Sequence, residues 1–437
     1  MTDPAQACPE TSCRAPVAQS AAAWNLGCSC RTLDSEHLRR ELERRGGLAG
    51  AAAQLQSPHP HLLAATAVFV SRAVADSIQA AVAAIERVIA LPAYRELALA
   101  RAPDIARHDL GPVGVFMSFD FHLADHGPQL IEINTNAGGA LLNAVLADAQ
   151  RACCAAMVEA IHASPAAPAV EDDFVAMFRS EWRLQRGDTP LGRVLIVDDD
   201  PAAQFLAPEF ELFRQLFVAH GIDAHVADAA ALDESNGRLV YDGAPVELVY
   251  NRLTDFHLTD PHHTALRRAY EAGTVVLTPH PRAHALFADK RNLIALSDAA
   301  LLESWGVAAR DRELLAATVP HTQPVSAGNA AALWAERKRL FFKPFAGYGA
   351  KAAYRGDKLT RRVWDGIVAG GYVAQALVPP TERVAEVDGA TARLKFDLRA
   401  YVYSGCVQLL AARLYSGQTT NMRTPGGGFA PVITLGQ

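Results

Sequence analysis

Three side chains in the segment VGVFMSFDFHLADHGPQLIEINTNAGG, residues 113–139, have the types and spacing to hold a hard divalent cation: Asp120, Glu132 and Asn134. Carboxylates and an amide carbonyl are oxygen ligands that suit Mg²⁺ carrying substrate phosphates. VGVFMSFDF and PQLIEIN are rich in branched and aromatic residues, which predicts two strands, and the ADHGP between them reads as a hairpin connection. Glu132 and Asn134 stand two positions apart, so both leave one face of a strand. Asp120 joins them from the neighbouring strand. Two carboxylates that close raise each other's pKa unless a positive charge sits between them. A surface strand with solvated acids accounts for Asp120 alone, but not for the polar row Glu132, Asn134, Asn136 that runs into AGG.

A second motif, KPFAGYGAK, starts at Lys343. A lysine ending a strand, followed by a turn containing Gly347 and Gly349, lets the backbone approach a phosphate while the ammonium neutralises it. The motif matches neither G-x-x-x-x-G-K-[ST] nor G-x-G-x-x-G before a helix, and a plain hairpin with glycine in its turn also accounts for it. Its weight comes from Lys290 upstream, the extended YVAQALVPP downstream, and Asp397 and Arg399 in D-L-R.

The elements that must position these groups fall into blocks. Residues 1–35 read as a disordered leader. Residues 36–165 combine a helical region, to about 107, with the two acidic strands and an Ala-rich helix, and ASPAAPAVEDD (163–173) reads as a linker. Residues 190–280 alternate strand and helix as a small open α/β domain: RVLIVDDD, APEFELFRQLFVAHG, IDAHVAD, the hairpin RLVYDGAPVELVYNR ending at Arg252, a helix around 261–272, and VVLTPHP. Residues 281–437 give an amphipathic helix after Lys290, strands around KPFAGYGAK, GYVAQALVPP, LKFDLRAYVYSG and CVQLLAARLYSG, and a closing glycine-rich loop with no core of its own.

At 437 residues, half of them hydrophobic, the chain is long enough for two or three domains with sizeable cores. A net charge of -6 and the lack of a Lys/Arg-rich tract argue against a general nucleic-acid binder. No apolar run reaches membrane-spanning length, and MTDPAQACPETSCRAP lacks the basic start and apolar core of a secretory signal, so a cytoplasmic location is expected. Seven cysteines suit a reducing compartment. The spacing of Cys8, Cys13, Cys28 and Cys30 matches no familiar zinc pattern, and Cys153 and Cys154 read as small packing residues in a helix.

Taken together, residues 278–437 and 113–139 resemble an ATP-grasp ligase, and their order resembles the circularly permuted glutathione synthetases of eukaryotes, in which the E-x-N strand opens the fold instead of closing it. The resemblance implies an α/β (α+β) ATP-grasp fold, circularly permuted, with the small α/β domain inserted as a substrate domain. It implies ATP and Mg²⁺ as cofactors, with Lys290, Lys343, Gly347 and Gly349 on the phosphates and Gln375 at the adenine hinge. Arg399, Arg413 and the loop from Asn421 through Gly427 and Gly428 fall on the γ-phosphate and substrate side. Asp120, Glu132 and Asn134 fall on the metal, and Arg252 on a substrate carboxylate. Carboxylate and amine substrates, an amino acid or small peptide, and a homodimer are likewise implied.

The chain departs from that pattern in one respect that bears on chemistry: FAGYG lacks the further metal-binding acid of the glycine loop. Residues 1–60 carry none of the resemblance, and the loops that read γ-glutamylcysteine are not identifiable. Three readings therefore stay open: a glutathione synthetase-like ligase working through an acyl phosphate, a ligase acting on a peptide or polyamine, and a non-catalytic nucleotide-binding regulator. A dehydrogenase built on RVLIV lacks the G-x-G-x-x-G that such a strand requires.

Overall fold

The computed structural model describes residues 20–44, 61–150, 152, 157–158, 167–347 and 352–435. The first nineteen residues, Cys153, Cys154, Gly349 and the first part of the expected linker lie outside the described residues.

The strands are β1 (Val68–Ser71), β2 (Met117–Ala124), β3 (Gly127–Asn134), β4 (Arg193–Asp198), β5 (Asp223–Asp228), β6 (Asp233–Ser235), β7 (Arg238–Tyr241), β8 (Ala244–Pro245), β9 (Leu248–Asn251) and β10 (Val276–Thr278). They continue as β11 (Thr322–Pro324), β12 (Leu340–Pro344), β13 (Tyr354–Arg355), β14 (Tyr372–Ala376), β15 (Thr381–Val387), β16 (Ala390–Tyr403), β17 (Cys406–Tyr415) and β18 (Gly428–Leu435). A large sheet runs β1-β18-β17-β16-β2-β3, with β15 pairing the first half of β16. The early acidic hairpin β2–β3 thus lies directly beside β16, a strand from far later in the chain.

The period of two decides which face of this sheet is apolar. Phe119 and Phe121 of β2, with Leu398, Ala400 and Val402 of β16, pack against Ile78, Val82, Ile85 and Val88 of the helix Arg72–Ile89. Their neighbours Asp120, Asp397 and Arg399 therefore project from the opposite face. Three further sheets are present among the described residues: β10-β9-β4-β5, all parallel, β11-β14-β12-β13, antiparallel, and the small antiparallel β6-β7-β8. The parallel sheet meets the large one through an aromatic core in which Phe116 contacts Phe174, Phe213, Tyr250 and Tyr401.

Several local readings change. Residues 20–35 contain a helix, Ala21–Gly27, capped by Ser20, with Trp24, Cys28 and Cys30 buried against Phe69 and Ile433. A leader is thus the wrong description from Ser20 onward: Arg383, with no exposed surface, donates to the carbonyls of Asn25, Cys28 and Ala67 and to Thr66 Oγ1. The region expected to be helical contains β1, because Val68, Phe69 and Val70 pair in parallel with β18. β18 itself lies in the expected C-terminal loop, with Phe429, Ala430 and Ile433 buried. The end of the expected linker, from Ala167, is instead the first turn of the helix Ala167–Arg186, whose Val170 and Phe174 are buried. Finally, RLVYDGAPVELVYN forms the hairpin β7–β8 and then β9, which leaves for the parallel sheet.

Candidate functional site

Cross-strand pairing lines up the charges. Arg399 of β16 faces Asp120 of β2, and Asp120 faces Glu132 of β3; one strand over, Asp397 of β16 faces Arg413 of β17. Like charges directly opposite each other, such as Asp120 and Glu132, destabilise a sheet unless cations intervene. Here they do. Arg399 donates through Nε and Nη2 to the two oxygens of Asp120 at 2.8 Å each, and Arg413 Nη2 adds a third bond to Asp120 at 2.8 Å. Arg413 is also bidentate to Asp397, at 2.7 and 2.9 Å, and Thr420 donates to Asp397 at 2.7 Å.

Asp120 is 1% exposed, and burial by itself pushes its carboxyl up; the guanidiniums of Arg399 and Arg413 overcome this and hold its pKa down at about 2. Every oxygen of Asp120 is engaged by a donor of the chain, since Asn134 Nδ2 adds a bond at 3.1 Å. Asp120 thus anchors two arginines. Among the described residues no group of three or more His, Cys, Asp or Glu is arranged to hold a metal. Glu132, with 27% of its side chain exposed, accepts from Asn134 at 3.1 Å, and burial is again outweighed, here by Lys290 and Lys343, so its pKa is lowered. Glu132 and the carbonyl oxygen of Asn134 remain as oxygen donors, which fits Mg²⁺ held by few protein ligands and by substrate phosphates.

The lysines reach this row from other elements. A bulge in the β2–β3 ladder after Asp120 leaves Ile131 out of register, and Lys343 of β12 donates to the Ile131 carbonyl at 2.5 Å. Lys343 also donates to Gln375 Oε1 at 2.8 Å. Burial lowers the Lys343 pKa to about 8 against the pull of Glu132. Lys290 Nζ lies 3.7 Å from Glu132 Oε2 and 3.2 Å from the Gly347 carbonyl, while its backbone N–H bonds Phe345. The glycine turn is thus tied to the lysine that precedes it in sequence.

Asp120, Glu132, Asn134, Arg252, Lys290, Lys343, Gly347, Gln375, Arg399 and Arg413 all line one cavity of about 720 Å³. Asn421, Gly427 and Gly428 do not line it. Gly428 opens β18 instead, where a Cβ would lie 2.7 Å from the Leu63 backbone. Gln375 accepts from Lys343 through Oε1, and Ala376, which ends that strand, lines the cavity with the following Leu377 and Val378. Phe205, Phe256, His284, Lys395 and Thr420, which the sequence motifs do not single out, also line the cavity, as does Arg423 of the expected loop 421–428. Thr420 and Arg423 sit in a loop with no periodicity to reveal them, and Arg423 packs over the Phe205 ring at 4.7 Å.

No protein-family model matches the chain, and no curated protein sequence does. A glutathione synthetase-like effector from Globodera pallida superposes with a TM-score of 0.51 over 85% of this chain and 90% of that one, at 13% identity. The fold is glutathione synthetase-like. Two further likenesses are weaker. A Methylobacillus flagellatus protein assigned as a gamma-glutamylcysteine synthetase gives 0.45 over 81% of this chain and 85% of that one, at 11% identity. The D-cycloserine synthetase DcsG gives 0.28 over 47% and 67%, at 23% identity. In the glutathione synthetase-like frame, the cavity lies where the large sheet, the antiparallel sheet β11–β14 and the parallel sheet meet.

Proposed function

We propose that this protein is an ATP-dependent ligase that activates a carboxylate as an acyl phosphate and joins it to an amine. The observation that carries the reading is the charge of the cavity. Eight cationic side chains line it (Arg252, Lys290, Lys343, Arg355, Lys395, Arg399, Arg413, Arg423) against five acidic ones (Asp120, Glu132, Asp198, Glu382, Asp397), in a chain whose net charge is -6. A concentrated positive cavity in an acidic protein suits a polyanion such as a nucleoside triphosphate. The cations are also fixed: Arg399 and Arg413 are braced by carboxylates through Nε and Nη2, and among the described residues none of their hydrogen bonds uses Nη1. Donors held in place before the reaction stabilise developing charge at little reorganisation cost.

In this reading Glu132 and Asn134 hold Mg²⁺, which neutralises phosphate oxygens when bound. Lys290 and Lys343 neutralise the triphosphate from the glycine-turn side. The substrate carboxylate attacks the γ-phosphorus, ADP leaves, and the amine then displaces phosphate from the acyl carbon. Arg399 and Arg413 hold the transferring phosphoryl group and then the acyl phosphate. Asp120 and Asp397 keep those guanidiniums aimed. The Thr420–Arg423 segment, bonded to Asp397 and packed on Phe205, keeps water from the intermediate.

ADP and phosphate release from MgATP, measured across paired panels of carboxylates and amines, tests the proposal. Release that requires both partners supports a ligase and names them. Release that is equal with either partner absent, or no release with any pair, removes it. Glu132→Gln is expected to abolish the stimulated release while leaving the melting temperature unchanged within a few degrees.

A further inference from the structure

Two segments outside the sheets contribute one wall of the cavity. Gln204, Phe205 and Leu206 come from the link that follows β4, and Thr254 and Phe256 from the link that follows β9. The strands end at Asp198 and Asn251, before either segment, so the sheet ladder does not hold them. A side chain behind the wall does. His263 closes the short turn Pro261–His263 and is 1% exposed. Its Nε2 lies 2.8 Å from Asp199 Oδ1 and its Nδ1 2.9 Å from Asp255 Oδ2, so one ring bridges a residue of each link.

Two carboxylates facing one imidazole fix its charge. A carboxylate accepts and does not donate, and a neutral imidazole has one N–H, so both contacts together require the imidazolium. Asp255 is ionised: burial by itself raises its pKa, but the Asp260 N–H, His263 and Thr259 outweigh burial and lower it. For His263 burial lowers the pKa, and the bonds to Asp199 and Asp255 overcome it and raise the value above the ordinary 6.5. The other charged groups nearby have partners of their own or add to the negative side. Asp198 of β4 is a third acid near the ring, with Arg252 beside it, and Asp228 of β5 accepts from the Asp200 N–H at 3.1 Å. On the His263 side, Asp260 accepts from the His262 N–H at 2.9 Å, and Arg267 pairs with Glu271 at 2.9 Å.

We propose that His263 is a positioning residue of the cavity: as an imidazolium it latches the link after β4 to the link after β9, and loss of its proton loosens that wall. Asp255 is also held by the N–H groups of Thr259 and Asp260, at 2.5 and 2.8 Å. The contact released is therefore the one to Asp199, whose side chain is 53% exposed. Gln204 Nε2 bonds the Asp199 carbonyl at 2.6 Å, which carries the release to the cavity-lining residues Gln204, Phe205 and Leu206. The latch is complete below the ordinary pKa of 6.5 and is lost as pH rises through the raised value. Its effect on a substrate rests on the ligase reading; the latch itself does not.

Two variants with opposite expectations test the latch. Asp199→Asn lets a neutral ring keep both contacts, because the amide donates to Nε2 while Nδ1–H donates to Asp255. His263→Gln has one donating and one accepting end, so one carboxylate is left facing a carbonyl oxygen. Amide hydrogen exchange of the full chain, corrected for the intrinsic rate at each pH, is read at Asp200, Ala203 and Gln204, whose N–H groups are all bonded. In wild type, protection there is expected to fall about tenfold or more between about pH 6 and 9. Asp199→Asn is expected to keep it level, and His263→Gln to lack it throughout. Protection that does not change with pH in wild type, or that falls equally in Asp199→Asn, overturns the inference. KM for the carboxylate found by ADP release, at saturating MgATP, is expected to rise over the same window in wild type and to stay level in Asp199→Asn, with kcat little changed. A level wild-type KM beside a pH-dependent exchange pattern overturns the positioning role. If no carboxylate and amine pair stimulates release, the ligase reading falls, and the exchange pattern decides the latch by itself.

Discussion

Asp120 shows how one residue can carry two readings that only its partners separate. A carboxylate opposite Glu132 can serve a metal, brace guanidiniums, or do both. Three arginine bonds and an amide bond make it a brace. Removing one partner of a buried pair strands the other charge, so Asp120→Asn is expected to cost about 3–5 kcal/mol in urea unfolding and to lower turnover with it. The pH sign follows from its depressed pKa. Stability from Asp120 is present above the ordinary value of 3.8 and is lost as pH falls from there towards about 2, visible as an acid limb that Asp120→Asn lacks. Lys343 runs the other way. Its folded pKa of about 8 lies below the ordinary 10.5, so the unfolded chain holds the proton more tightly and the fold gains from this group as pH rises through that window. Phosphate binding needs the proton, however. kcat/KM for ATP is therefore expected to fall above pH about 8, and Lys343→Arg to remove that limb; an unchanged limb would place the titration elsewhere.

At the scale of elements, two close approaches hold the site's frame. Gly139 sits at φ 97° ahead of the helix Ala140–Asp148, and a Cβ there would meet the buried Phe429 ring at 2.3 Å. Left-handed strain and the clash together predict that Gly139→Ala costs roughly 2–4 kcal/mol, read from the thermal midpoint. The E-x-N strand, β3, and this helix are joined by Thr135–Gly139, so the variant is also expected to raise KM. Arg383 is the second. Its donors tie the Ala21–Gly27 helix and the residues before β1 to β15. Arg383→Leu is expected to raise amide exchange at Asn25, Cys28 and Phe69 well before global unfolding. The sequence could not announce this clamp, because a lone arginine in T-E-R-V looks like any exposed strand charge. The strands β2, β3, β12, β14, β16 and β17 were legible, since branched and aromatic residues alternate in them. β1 and β18 were not. β1 is four residues long and becomes a strand by pairing with β18, which itself begins in a glycine-rich run and pairs with β17 as well.

At the scale of the whole molecule, three sheets contribute to one cavity, so a ligand that fills it links them. MgATP is expected to raise the thermal midpoint; at a hundred times its dissociation constant the linkage is worth about 2.7 kcal/mol. Chelating the metal is expected to remove most of that shift and all turnover, because Glu132 and Asn134 then face the phosphates without a cation between. A shift unaffected by chelation would leave the lysines and arginines as the whole binding surface.

The sequence by itself determined the residue types, their order and their faces. E-x-N, K-P-x-x-G and D-L-R named Glu132, Asn134, Lys343, Asp397 and Arg399 of the cavity's polar lining, because alternation in a strand decides which side chains share a face before any partner is known. What bonds what was decided only by tertiary structure. Register set Arg399 against Asp120 and made that carboxylate an anchor; a bulge exposed the Ile131 carbonyl to Lys343; and the reversal of strand order brought Asp198 beside Arg252. Those outcomes depend on which strands become neighbours. Neighbourhood follows from burial and hydrogen bonding summed over the whole chain, which no local pattern contains.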